Sequence, residues 1–149
     1  EVFLSSAGKA VSWKVDKFDP PQISTAVWGL AKSGHNDTIL MERVAEYVTN
    51  QADLFGFSVS DVAWGFAKLR SNHTQMMHAI ATRSVDIIHR FSMRGLASLI
   101  WAFATMRIKE PILMEAAVQR ILQGLSSRQL VPQDVSSILW SFATLEVQN

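Results

Sequence analysis

The chain lacks cysteine altogether across its 149 residues. That excludes disulfides, a thiol nucleophile and any cysteine-bound metal. No apolar run approaches the roughly 18 residues that a membrane-spanning helix needs. No run of Lys and Arg occurs, and the net charge is only +1, so the strongly basic balance of many nucleic-acid binders is missing. Phosphate-binding glycine loops and His-x-x-x-His pairs are absent too. The four histidines are His35, His73, His78 and His89. Only His73 and His78 are close in sequence, and a separation of five does not put both on one helical face. This inventory holds no catalytic constellation and no metal or cofactor site, so the expectation is a protein that is not an enzyme.

What is present is a repeat. Trp28-Gly29-Leu30-Ala31-Lys32 recurs as Trp64-Gly65-Phe66-Ala67-Lys68, Trp101-Ala102-Phe103-Ala104-Thr105 and Trp140-Ser141-Phe142-Ala143-Thr144, at gaps of 36, 37 and 39 residues. A unit of this length cannot bury its own apolar face, so neighbours must stack and share a core. The 48% of hydrophobic residues suffices for one continuous core.

Each phrase closes an amphipathic helix, here called helix A. Ile23, Ala26, Val27, Leu30 and Ala31 fall at i, i+3, i+4, i+7 and i+8, one face of an α-helix. Val59, Val62, Ala63, Phe66 and Ala67 repeat the pattern, as do Leu96, Leu99, Ile100, Phe103 and Ala104, and then Val135, Ile138, Leu139, Phe142 and Ala143. A second helix, B, follows. Its stripe is Leu40, Met41, Val44, Ala45 and Val48 in the first repeat. It is Met76, Met77, Ile80, Ala81 and Ile88 in the second, and Leu113, Ala117, Ile121 and Leu125 in the third. Punctuation agrees. Asp19-Pro20-Pro21 opens the first A helix and Gly34 closes it. Ser58 to Asp61 reads as a capping box with Asp for Glu. Asn72 is positioned to cap the second B helix, Ser92 begins the third A helix, and Pro111 and Pro132 open later ones.

The expected fold is therefore all-α: a right-handed α-solenoid of antiparallel helix pairs with a repeat length of 36–39 residues. The helices are predicted near 2–17, 21–33, 38–54, 58–70, 74–90, 94–107, 112–126 and 133–145. They form a half repeat at 1–17, full repeats at 18–55, 56–91 and 92–129, and a half repeat at 130–149. Neither end carries a polar capping repeat, so the array is expected to be a segment of a longer chain. No signal or transit peptide is visible, and any targeting sequence would lie outside this segment.

Each A helix leaves a face unused by the stripe. One column reads Thr25, Asp61, Ser98, Ser137. The next reads Gly29, Gly65, Ala102, Ser141, small throughout. A third reads Lys32, Lys68, Thr105, Thr144. With Arg70 and Arg107 these are the candidate binding residues, and a nucleotide track, which the family resemblance described below favours, is one reading of them. Small residues let a base or backbone approach, polar ones bond base edges, and Lys or Thr hold phosphates, one repeat to one base. The bland alternative makes the columns solvated, with the small one admitting an adjacent helix. The tryptophans are read as packing wedges between repeats, because Trp buries well. Base stacking is the less favoured use.

Pro21-Gln22 leads to Trp28 and Ala31, and Pro132-Gln133 leads to Trp140 and Ala143 with one more intervening residue. With its leucine-rich surroundings, this phrase resembles the octotricopeptide repeat family and its heptatricopeptide relatives, over essentially the whole chain. The Pro-Gln start is missing from the second and third repeats, and no base-reading code is carried over. The resemblance implies an organellar protein, of mitochondrion or chloroplast, that binds single-stranded or ribosomal RNA. Its role would lie in RNA maturation, stability or translation, including within an organellar ribosome. The rival expectation is a non-catalytic scaffold or accessory segment whose partners are protein subunits of a large assembly.

Overall fold

A computed structural model describes residues 1–51 and 58–147. It is all-α, with no strand among the described residues. The helices are α1 (Val2–Ser12), α2 (Pro20–Ser33), α3 (Thr38–Thr49), α4 (Val59–Lys68), α5 (Thr74–Asp86), α6 (Met93–Thr105), α7 (Pro111–Ser126) and α8 (Pro132–Val147). None is long and apolar enough to cross a membrane.

The local chemistry explains most boundaries. Asp19 Oδ1 accepts from the Gln22 N–H at 2.8 Å, and Gln22 Oε1 accepts from the Asp19 N–H at 3.0 Å. This capping box satisfies two donors that an α-helix start leaves open. Gly34 then turns left-handed at φ 71°, and the His35 N–H reaches back to the Leu30 carbonyl at 3.0 Å. Glycine suits this stop because it has no Cβ to clash. Asp37 caps α3 through the Leu40 N–H, and Ser92 caps α6 through the Gly95 N–H, each at 3.0 Å.

Other boundaries differ from expectation. The helix predicted over 2–17 stops at Ser12, and Val15–Lys17 form a separate 3-10 turn. The tighter turn re-aims the chain so that Val15 enters the core, while Trp13 stays exposed. The helix predicted over 74–90 likewise stops at Asp86, before a 3-10 turn at Ile88–Arg90 that delivers Phe91 to the core. Asn72 does not cap α5; its Oδ1 accepts from the Thr74 hydroxyl at 3.2 Å. Ser58 and Asp61 form no capping box either, because the Ser58 hydroxyl donates to Asp61 Oδ2 at 2.6 Å. The helix predicted over 38–54 stops at Thr49, where Asn50 is its C-cap; residues 52–54 of that prediction lie outside the described residues.

The helices pack in two rows. α2, α4, α6 and α8 each lie against the next, and so do α1, α3, α5 and α7. Contacts of α4 with α5 and of α6 with α7 tie the rows together. One hydrophobic cluster runs from Val15 to Ile138. Phe66 and Phe103, from consecutive A helices, are both 0% exposed. Gly65 lets α4 lie close against α2: a Cβ there would fall on Val27 Cγ1 and 3.3 Å from the Val27 carbonyl oxygen. In the second row, Arg83 of α5 donates to the Val48 and Thr49 carbonyls at 3.3 and 3.1 Å. It thereby closes the open C-terminal end of α3. His78 Nδ1 meets Glu110 Oε1 at 2.8 Å, linking α5 to the start of α7.

Candidate functional site

The exposed side of the α2–α4–α6–α8 row carries a groove of about 350 Å³. Trp28, Trp64 and Trp101 line it together with Lys32, Asp61, Arg94, Ser98 and Ser137. Ala97, Gln133 and Asp134 complete the lining.

Helical geometry explains this company. Taking each Trp as origin, the residues at −7, −3 and +4 fall within about 60° of it at 100° per residue. Those positions supply Arg94 and Gln133, then Asp61, Ser98 and Ser137, then Lys32. The apolar stripe lies on the opposite side of the helix. The tryptophans therefore border the exposed face and none is fully sealed, although Trp101 packs against the core as a wedge would. Trp28 is 43% exposed and Trp140 is 48% exposed; Trp64 and Trp101 are half-buried.

The groove has internal order. The Lys32 ammonium sits 5.5 Å from the centre of the Trp28 ring and 5.9 Å from that of Trp64. Both are within the range of an attractive cation–π contact. Asp61 is held by the Ser58 hydroxyl. Among the described residues no ion pair joins Lys32 or Arg94 to Asp61 or Asp134. The four charges offset one another, so the groove is electrically balanced while offering both donors and acceptors.

The predicted candidates divide. Lys32, Asp61, Ser98 and Ser137 meet in the groove. Thr25 is exposed, with its hydroxyl donating to the Pro21 carbonyl at 2.9 Å. Lys68, Arg70 and Arg107 are exposed beyond it, and Thr144 is half-buried. Thr105 is half-buried with its hydroxyl oxygen enclosed and unpartnered. The small column behaves as the bland alternative holds: Gly65, Ala102 and Ser141 are buried, and only Gly29 faces open space. Smallness there serves helix packing, and those three positions present nothing to a ligand.

Arg70 and Arg107 share a further property. Both adopt left-handed backbone, at φ 54° and 58°, six residues after a tryptophan, where the first repeat has Gly34. The Ser71 and Ile108 N–H groups complete the same helix stop by reaching the Phe66 and Phe103 carbonyls at 2.9 and 3.0 Å. Two arginines thus occupy a conformation that costs an L-residue roughly 1 kcal/mol or more.

Sequence reasoning did not place Arg94, Gln133, Asp134 or the three tryptophans in a site. The signal was available for the tryptophans, since they share one stripe with the polar column. No group of three or more His, Asp or Glu is placed to hold a metal ion among the described residues. No family model matches the chain, and no curated protein is detectably similar to it.

Proposed function

We propose that this chain is an RNA-binding helical-repeat protein of an organelle, without catalytic activity of its own. In this reading the two helix rows form a right-handed solenoid of antiparallel pairs, and the groove on the A row receives single-stranded RNA. The protein would act in transcript maturation, stability or translation. The resemblance to octotricopeptide repeats supplies the class of ligand. The observation that carries the reading is the groove itself, where three aromatic rings and hydrogen-bonding side chains, with two cations balanced by two carboxylates, line one face across four A helices. Sequence-tolerant binding of single strands uses this combination of stacking surface and cationic contact.

Salt tests it. If Lys32, Lys68, Arg70 and Arg107 each contact a phosphate, the slope of log K against log salt is about −0.7 for each contact. Raising salt from 50 to 200 mM should then weaken binding about 50-fold. Anisotropy of a fluorescein-labelled single-stranded RNA measures this directly, and affinity indifferent to salt would refute the phosphate contacts.

A further inference from the structure

We propose that Trp28 and Trp64 form a base-stacking subsite, and that Lys32 is its resident occupant, displaced from the indole faces when a base arrives. This rests on the RNA-binding reading and adds how the groove would hold its ligand. An ammonium can sit over a ring only where the ring face is not covered by the core. Lys32 does so over two rings from consecutive repeats at once. The space it fills is therefore open to other groups that favour an aromatic face, and a nucleobase is such a group.

The charges around the rings narrow the choice. A basic peptide would meet Lys32 and Arg94, and an acidic one would meet Asp61 and Asp134. A nucleotide can use both signs, because its anionic phosphate and its neutral base are separate parts: the phosphate can lie toward Lys32 or Arg94 while the base lies toward Asp61 or Asp134. Its base is flat and neutral, its exocyclic amines can donate to a carboxylate, and its phosphate can pair with the cation it displaces. Packed helices stand about 8–10 Å apart, too far for one continuous stack of bases. Each ring would therefore take one splayed base, at one base per repeat.

Lys32 then has two roles of opposite sign. It competes with the base for the rings, and once displaced it attracts the phosphate. The second role is screened by salt, whereas stacking is not.

The test uses the 149-residue chain and a 12-nucleotide single-stranded RNA of randomised sequence. Anisotropy reports binding and intrinsic tryptophan emission reports stacking. Trp28→Leu and Trp64→Leu should each weaken binding about 5- to 150-fold, the range for losing one stacked base. Trp28→Phe should recover most of the loss. Trp13→Leu should change nothing, because Trp13 is 79% exposed and outside the groove. Binding by wild type should quench tryptophan emission. Lys32→Met should bind more weakly than wild type at low salt and more tightly at high salt. A constant weakening at every salt concentration would overturn the displacement of Lys32.

If RNA binds but the Leu variants bind as well as wild type, stacking is wrong while the RNA-binding reading stands. If no RNA binds at any salt, both fall. In that case quenching by an arginine-rich peptide would assign the groove to a basic protein partner.

Discussion

The Ser24 hydroxyl oxygen accepts the Ser58 backbone N–H at 3.0 Å, across one repeat. Ser24 lies in the first turns of α2, is buried, and also donates to the Pro20 carbonyl at 3.0 Å. One side chain thereby fixes where α4 begins relative to α2. Ser24→Ala should leave the Ser58 N–H without its partner and lower stability by about 1–3 kcal/mol. Urea unfolding followed by circular dichroism measures this. An unchanged midpoint would mean that water replaces the hydroxyl without loss.

Glycines at one register of the repeat should respond oppositely to the same change. At Gly65 an added methyl collides with the Val27 side chain and approaches its backbone. Gly65→Ala should therefore cost about 1–3 kcal/mol as α2 and α4 are pushed apart. At Gly29 nothing lies within 4 Å of the added atom, so Gly29→Ala should stabilise the helix by about 0.5–1 kcal/mol. Thermal unfolding of the two variants side by side gives the comparison, and equal shifts would contradict the packing at Gly65.

Phe66 and Phe103 are sealed in the core, and replacing either with Ala should destabilise by about 3–5 kcal/mol. Chemical denaturation should show an earlier midpoint for both. A variant that unfolds with the wild type would place that ring outside the cooperative core.

The repeat made the helices legible. Ile23, Val62, Leu96 and Ile138 announced buried faces by spacing alone, and all four are buried, whereas Leu125, Leu139 and Ala143 at stripe positions are exposed. Asp19 and Gly34 announced α2 at both ends, because a cap and a left-handed stop are local chemistry. The breaks at Trp13 and Ile87 were not legible. Both follow from where Val15 and Phe91 must go in the assembled core, and helical periodicity carries no record of that. The site was half legible. The polar column of Asp61, Ser98 and Ser137 follows from the helical wheel. Which flank of each helix meets its neighbour does not, so Ala102 and Ser141 read as accessible and lie buried. The tryptophans misled for a related reason: size and apolarity suggest burial, while their angle on the wheel places them beside the polar column.

Arg70 and Arg107 set stability against binding. Each holds a left-handed backbone that glycine adopts without strain. Arg70→Gly and Arg107→Gly should each stabilise the fold by about 1 kcal/mol. If the side chains contact phosphate, each change should also make the salt dependence shallower by about 0.7. Melting temperature and salt-dependent anisotropy on the same variants separate the two effects. A gain in stability with an unaltered slope would remove these arginines from the RNA contacts.

Asp61 decides whether the groove reads sequence. Its carboxylate accepts from the Ser58 hydroxyl and lines the groove, and neither residue caps α4 through its side chain. Asp61→Asn should therefore leave helix stability nearly unchanged, where loss of a true cap would cost about 1 kcal/mol. A carboxylate repels the phosphate backbone, so its place in an RNA groove is to accept from a base amine, such as the guanine or cytosine edge. An amide both donates and accepts, and so favours a different edge. Selection from a randomised RNA pool with Asp61→Asn should change the preferred base at one position. Ser98→Asn and Ser137→Asn, at the same register of the next two A helices and also lining the groove, should change the successive positions, in repeat order. Identical selected sequences from all three variants would leave the groove holding RNA by stacking and phosphate contact alone.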